Sequence, residues 1–372
     1  MLISLLGIAV TLGVAILVHE AGHFAACRYF KVKVERFAIG FGPKLVGISD
    51  KQGTEFVIRA IPLGGYVKMA GELVEDIKGE PDEYFSKPWW QRSIISFSGP
   101  FMNYVTAVII FAGVYALIGI PKLTNIIGST VPGMPAQVAG VLPGDVVTQL
   151  DNVKIETWEA IAGYIHSHGS KDIVLKVNRE GKELVFKLTP KFDATRNAGL
   201  VGISPKQIYQ KSGFFAACAS GVRNVYEITK LTIKTLALSI IKLAKPEIAG
   251  PIGIAQFAAS AAKSGVYDFL MFIALISTGI GLFNLLPIPI VDGGQIVIFL
   301  IEGITRKRAT LEQLKIVNMA GIFIVLFIFV IATYNDIQRI VVGAKVKKEG
   351  QQSWSVKTSS STVTPPGGKV KK

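Results

Sequence analysis

Residues 18–27 read VHEAGHFAAC. They place His19, Glu20 and His23 at the end of a run, Met1–Val18, that carries no charged side chain. Ionisable groups at the edge of a hydrocarbon layer are costly and need partners. On a helix, residues four apart share a face. His19 and His23 can therefore turn both imidazoles toward one metal ion, with Glu20 beside them as general base for a water. Two histidines capping the end of a span would give the same letters, so the motif needs a third ligand from elsewhere in the chain.

Working outward, the surroundings of the motif look like membrane. The chain has 372 residues, of which 50% are hydrophobic and 18% charged, and its mean hydropathy is +0.46. A soluble protein usually carries more charge. Four apolar stretches of spanning length explain the excess: Leu2–Val18, Ile94–Ile120, Phe269–Val291 and Ile316–Thr333. The first is read as an uncleaved span, because it lacks a basic n-region and no small-residue cleavage site follows. The net charge is +14. Its basic residues are spread along the chain without an aromatic-studded basic module, which argues against nucleic acid. Lysines flanking spans and meeting anionic lipid explain the charge better. Two cysteines, Cys27 and Cys218, make no disulfide framework, and Cys27 is read as a small buried apolar residue.

Between the spans, residues 28–93 contain VERFAIGFGPKLVGI and TEFVIRAIPLGGYVKM. Their Val, Ile, Phe and Tyr content, broken by Gly-Pro and Gly-Gly, predicts strands and hairpin turns. Residues 121–190 alternate strand-like runs with one helical patch, TWEAIAGYIHS, and predict a small α+β domain with its own core. Residues 191–264 are read as a linker and surface helices. Within 214–245, Arg223, Glu227, Lys230 and Lys234 recur at helical spacing and line one face, so that helix is expected to lie in the membrane interface. Residues 296–343 are read as a loop and the fourth span. Residues 344–372, rich in Lys, Ser, Thr, Pro and Gly, are expected to be disordered. His166 and His168 are read as exposed polar residues, and Asn103 as an interhelical hydrogen-bond partner rather than part of a site wall.

The third span offers the missing ligand. NLLPIPIVDGGQ, residues 284–295, interrupts an apolar run with Asn284, Pro287, Pro289 and Asp292. Each proline removes a backbone donor and clashes with the preceding turn. Broken backbone at membrane depth is tolerated where it is buried in protein or lines a wet cavity. Gly293 and Gly294 leave Asp292 room to approach an ion. With residues 214–245 on the surface, the first and third spans run in the same direction, so His23 and Asp292 emerge on one side. Two His and one carboxylate, with a position left for water, form a catalytic zinc arrangement.

HEAGH (19–23), FSGPFMNYVTA (97–107) and NLLPIPIVDGG (284–294), in that order, resemble the site-2 protease family of intramembrane metalloproteases. IGFGPKL and IPLGGYVKMAGE resemble that family's membrane-associated β-hairpin region, and VPGMPAQVAGVLPGDVVTQLDNVKI resembles its PDZ domains. IAGPIGIA and TYNDIQRI resemble stretches before the third span and at the end of the fourth. The resemblance reaches to about Val342. It implies a polytopic α-helical membrane protein of about four transmembrane helices, with a membrane-associated hairpin region and one extracytoplasmic α+β PDZ domain at 121–190. The transmembrane elements are then residues 1–27, 94–120, 265–295 and part of 296–343. It also implies Zn2+ held by His19, His23 and Asp292, catalysis by Glu20, and substrate binding by Asn284 with Pro287, Pro289, Gly64 and Gly65. Some family members carry two PDZ domains; this chain has room for one.

The implied substrates are single-pass membrane proteins, such as anti-sigma factors or leftover signal peptides, cut in a bacterial inner membrane. The membrane lipids are the remaining expected partners, and nucleic acid is not expected. Arg306, Lys307 and Arg308 after the third span place that loop in the cytoplasm; Lys345, Lys347 and Lys348 pull the other way. Two readings from other classes remain beside this one. A non-catalytic PDZ-bearing membrane scaffold is opposed by the intact Glu20. An ion transporter is opposed by the absence of an internal repeat.

Overall fold

The computed structural model describes residues 2–72, 76–193, 198–241 and 250–359. The chain divides into two compact units, residues 1–111 with 221–372, and residues 112–220.

In the first unit, helix α1 spans Leu2–Tyr29. A hairpin follows, β1 (Val34–Ser49) and β2 (Glu55–Met69). Its register is double. Phe37 faces both Val67 and Phe56, and Ile39 faces both Gly65 and Ile58, while Val46–Ser49 returns along Glu55–Ile58. Each long strand is thus folded, and the result is a small antiparallel sheet with 34–39 inside and 65–69 along one edge. Helix α2 covers Trp89–Leu117 with Pro100 inside it, and starts before the expected residue 94. At the junction of α1, the hairpin and α2, an apolar cluster buries Cys27, Val34, Phe37, Val67 and Ile95.

The second unit is a β-sheet domain. It contains β3 (Ile120–Thr130), α3 (Pro135–Val138), β4 (Val146–Leu150), β5 (Val153–Lys154) and α4 (Trp158–Ser167). It continues with β6 (Ile173–Arg179), β7 (Lys182–Leu188), β8 (Lys191–Asp193), β9 (Ala198–Leu200) and β10 (Ile203–Gln210). The main sheet runs β10-β3-β4-β6-β7 and its pairings are antiparallel. Thr157 caps α4 by accepting from Ala160 N–H at 3.3 Å. The inner face of α4, Ile161 and Ile165, closes on Ile127, Val147, Leu150 and Leu175. The expected domain end at residue 190 falls short. The chain returns along the first strand, with Gln210 opposite Ile120, and a partner this distant in sequence leaves no local signature.

Helix α5 (Phe214–Ile241) follows, with Arg223, Glu227, Lys230 and Lys234 exposed. Residues 242–249, inside the expected linker, lie outside the described residues. In the first unit again, α6 (Pro251–Ser264) has Gly250 at its N-cap and no cap of its own. Asp336 supplies one, accepting from Gly250 N–H at 3.2 Å and Gly253 N–H at 2.8 Å. Helix α6 packs on α1, where a Cβ on Gly7 would stand 2.8 Å from that of Ala262. Small residues let apolar helices approach this closely.

Helix α7 (Val266–Asn284) is shorter than the expected span to Val291. The turn 285–291 follows, because Pro287 and Pro289 disfavour helical geometry at the residues before them. Residues 292–305 then form a further helix, α8 (Asp292–Thr305), where a loop was expected. Only 306–310 connect it to α9. Arg92 of α2 holds α8 through Glu302, with Nη2 at 2.6 and 2.7 Å from the two carboxylate oxygens, deep in the structure. Helix α9 runs Leu311–Ser359, so helix replaces much of the expected disordered tail. No proline occurs between Pro289 and Pro365, and Ala, Lys, Glu and Gln favour helix. Residues 360–372 lie outside the described residues. Among the described residues, four helices are long and apolar enough to cross a membrane: Ile3–Tyr29, Trp89–Leu117, Val266–Asn284 and Glu312–Val341.

Candidate metal centre

His19 and His23 sit one turn apart on α1, and Asp292 opens α8. Their donor atoms converge. His19 Nε2 lies 3.1 Å from His23 Nε2 and 3.1 Å from Asp292 Oδ2, and His23 Nε2 lies 3.4 Å from Asp292 Oδ1. Among the described residues this is the group of three such donors that could hold a metal ion. Zinc bonds of about 2.0–2.1 Å in a tetrahedron set neighbouring donors roughly 3.3 Å apart. The observed spacings fit that requirement, and the two-His, one-carboxylate donor set suits zinc.

The outer contacts of the histidines orient them. His23 Nδ1 is 2.8 Å from the Ile95 carbonyl oxygen, so that nitrogen donates and Nε2 is left with its lone pair toward the site. The Asn103 amide lies 3.2 Å from His19 Nδ1. A ligating His19 carries its proton on Nδ1, which requires the amide oxygen of Asn103 to face the ring. Ser277 Oγ donates to the Asn103 carbonyl at 3.0 Å and so ties α7 into the same network. Asn103 is thus an interhelical hydrogen-bond partner, as its place in an apolar span predicts, and the residue it holds on α1 is a candidate metal ligand.

Glycines make the convergence possible. A Cβ on Gly99 would overlap the His23 ring and stand 2.9 Å from His19 Cε1, and one on Gly22 would overlap the Ser98 carbonyl. The close α1–α2 crossing thus depends on both. Gly293 and Gly294 serve a different purpose from the one expected. A Cβ on either would strike the backbone of the 285–291 turn. They let that turn fold against the start of α8 and so aim Asp292. Ile290, in the same turn, has φ of +79°, a costly geometry for a β-branched residue, worth about 1–3 kcal/mol.

Glu20 does not join the three donors. Its Oε2 accepts the Val67 N–H at 2.9 Å. A cavity of about 440 Å³ is lined by His19, Glu20, His23, Glu72, Asn284 and Asp292. The structure therefore brings together five of the residues singled out in the sequence. Pro287, Pro289, Gly64 and Gly65 are not among the lining residues. The prolines shape the turn, and Pro289 backs onto Gly321 of α9. Gly64 has φ of +100°, and Gly65 leaves space for the Ala38 carbonyl. His166 is exposed and His168 stacks on Tyr164 in the β unit. Glu72 and Gln295, also at the cavity, were missed by sequence reasoning. Glu72 follows a glycine turn, a signal visible only in retrospect.

The chain is similar to known proteins over most of its length. The family model described as peptidase family M50 matches residues 7–328. A relative from Rickettsia conorii, 33% identical over 356 residues, covers 91% of this chain and 99% of its own length. One from Clostridium acetobutylicum is 34% identical over 326 residues, with 87% and 94% covered. The names of both carry the words zinc metalloprotease. Metalloprotease MmpA of Caulobacter vibrioides is 32% identical over 389 residues, with 91% and 96% covered. Among solved structures, the PDZ domain of an SdrC-like protein from Listeria monocytogenes matches 23% of this chain and 87% of its own, at 19% identity and a TM-score of 0.20.

Proposed function

The chain belongs to peptidase family M50, the site-2 protease family, and is a metalloendopeptidase; from that premise we propose that it cuts peptide bonds inside the transmembrane segments of single-pass membrane proteins. The observation that carries this reading is where the three donors meet. They lie at the end of an apolar helix of spanning length, on the same turn as Glu20 and beside a sheet edge.

His19 Nε2, His23 Nε2 and an Asp292 carboxylate oxygen would hold the zinc, which when bound supplies the Lewis acidity that polarises a peptide carbonyl. Glu20 takes the proton of the attacking water and hands it to the leaving amine. The Asn284 amide, at the end of α7, hydrogen-bonds the substrate backbone near the scissile bond. A helical peptide bond is shielded by its own hydrogen bonds, and freed backbone groups in lipid cost several kcal/mol each. The edge 65–69 resolves both difficulties by accepting the unwound segment as an added strand.

On this reading the enzyme sits in a bacterial inner membrane, with the loop Arg306–Arg308 in the cytoplasm and helix α5 in the interface. The β unit is an extracytoplasmic PDZ domain that restricts access to the site. Substrates are of the anti-sigma-factor or remnant-signal-peptide kind. The decisive experiment measures zinc stoichiometry and cleavage of one transmembrane peptide by the purified enzyme and by Asp292→Ala. The variant loses both together. An Asp292→Ala enzyme with full zinc and normal turnover would overturn the assignment.

A further inference from the structure

The edge 65–69 is closed by two carboxylates. In an antiparallel strand, alternate residues direct their N–H groups to the same side. Here Ala70 N–H turns inward to the Lys33 carbonyl at 2.9 Å. Val67 and Met69 therefore turn outward, toward the position an added strand would occupy. Val67 N–H is taken by Glu20 Oε2 at 2.9 Å, and Met69 N–H by Glu72 Oε2 at 3.2 Å. Both carboxylates line the one cavity.

Glu72 is held there by the local chain. Ala70 is fixed between Lys33 and Tyr84, whose N–H donates to the Ala70 carbonyl at 2.8 Å. Gly71, with φ of +63°, reverses the chain immediately afterward, and a Cβ there would stand 2.7 Å from that of Glu83. The reversal brings the Glu72 side chain back along the strand it follows. Glu72 is not one of the converging metal donors, and general-base chemistry is already assigned to Glu20. A carboxylate accepts hydrogen bonds and donates none, so it satisfies an outward N–H as a strand's carbonyl would.

We propose that Glu72 is a specificity-determining residue that occupies the substrate's place on the Met69 side of the edge. A substrate strand that extends past Val67 toward Met69 must evict the Glu72 carboxylate and give the Met69 N–H its own carbonyl. A shorter strand that ends at Val67 meets Glu20 alone. Glu72 therefore sets how much unwound chain the site accepts without penalty on that side. Burial pushes its carboxyl up to about 6, which still leaves a charged acceptor on the Met69 N–H at neutral pH. The inference rests on strand addition at this edge.

The test uses full-length enzyme in detergent with two nested transmembrane peptides, one that pairs only as far as Val67 and one extended by two residues toward Met69. Glu72→Ala lowers KM for the extended peptide about 3- to 10-fold, the difference between a charged and a neutral acceptor for one amide. It leaves kcat, zinc content and the KM of the short peptide unchanged. Glu72→Gln, which keeps an acceptor, falls between. An unchanged or raised KM for the extended peptide, or equal effects on both peptides, overturns the proposal. A single N-methyl group on the substrate backbone serves as the control. If N-methylation at the pairing positions raises the wild-type KM while Glu72→Ala does nothing, the role of Glu72 alone fails. If N-methylation has no effect at any position, strand addition fails, and the proposal with it.

Discussion

The two units of this chain are built inside out with respect to each other. In the β unit the interior is aliphatic, with Ile127, Val141, Val147, Leu150 and Ile161 fully enclosed. In the helical unit Thr11, His19, His23, Asn103, Ser277 and Thr278 are buried, while Leu5, Ile109, Phe323 and Phe327 are more than half exposed. The first pattern is driven by removing apolar surface from water. The second has no such force between helices, because lipid is as apolar as leucine, and depends on close approach and hydrogen bonding. The same type of substitution should therefore have opposite meanings in the two places.

Glycine makes the sharpest comparison. Gly99→Ala drives a methyl group into the His23 and His19 rings, so zinc and cleavage are lost completely while hydrogen exchange across residues 120–210 stays as in the parent. Zinc retained by that variant would break the comparison. Next, Glu20→Gln lowers the cleavage rate by about 10²–10⁴ with zinc and thermal stability preserved; single-turnover rates and metal analysis on one sample check it. In the β unit an aliphatic truncation carries the weight instead. Ile161→Ala, with a side chain wholly enclosed, costs about 2–5 kcal/mol, read as lost exchange protection in that unit alone, with zinc unaffected.

The β unit also buries a charge, and that charge has an ion-pair partner. Burial by itself would push the Asp145 carboxyl up, but the Arg179 guanidinium at 2.7 and 2.8 Å and the Leu142 N–H outweigh it and hold the group below its ordinary 3.8. A lowered folded value means that its stabilisation is fully present above pH 3.8 and lost as the pH falls through the lower value. Asp145→Asn should cost about 1–3 kcal/mol at neutral pH and flatten the acid limb of the unit's stability curve. An acid limb unchanged in the variant would assign the effect to another carboxylate. The smallest effect returns to glycine. A Cβ on Gly163 of α4 meets nothing within 4 Å, so Gly163→Ala should stabilise the β unit by about 0.5–1 kcal/mol, measurable as a small rise in its melting temperature.

What the sequence revealed follows from the range of each signal. His19 and His23 were legible because helical periodicity is local, and Asp292 because prolines inside an apolar run are anomalous in themselves. The exit from the third span was misjudged as a loop. Apolar residues after Asp292 look alike whether they leave a membrane or begin a new helix, and only the folded turn against Gly293 and Gly294 decides. Gly99 was visible within a motif but had no physical reason until α2 was seen lying across α1. The return of β10 to β3, and the second partner of residues 34–39, are long-range pairings whose letters predict strand but not neighbour.

The contacts around the site form a closed circuit. Helix α1 rests on α6, whose first turn is capped from α9 by Asp336. Helix α9 meets the proline turn where Gly321 accommodates Pro289. That turn launches Asp292, which reaches back to His19 on α1. In a linear chain of contacts, slack at one joint is absorbed by the next. In a ring it must be shared by all. The cap at the far end of α6 is therefore a remote tensioner of the ligand cage, and the last helix, which lines the cavity with Leu314 and Asn318, also acts on the chemistry from a residue well outside it.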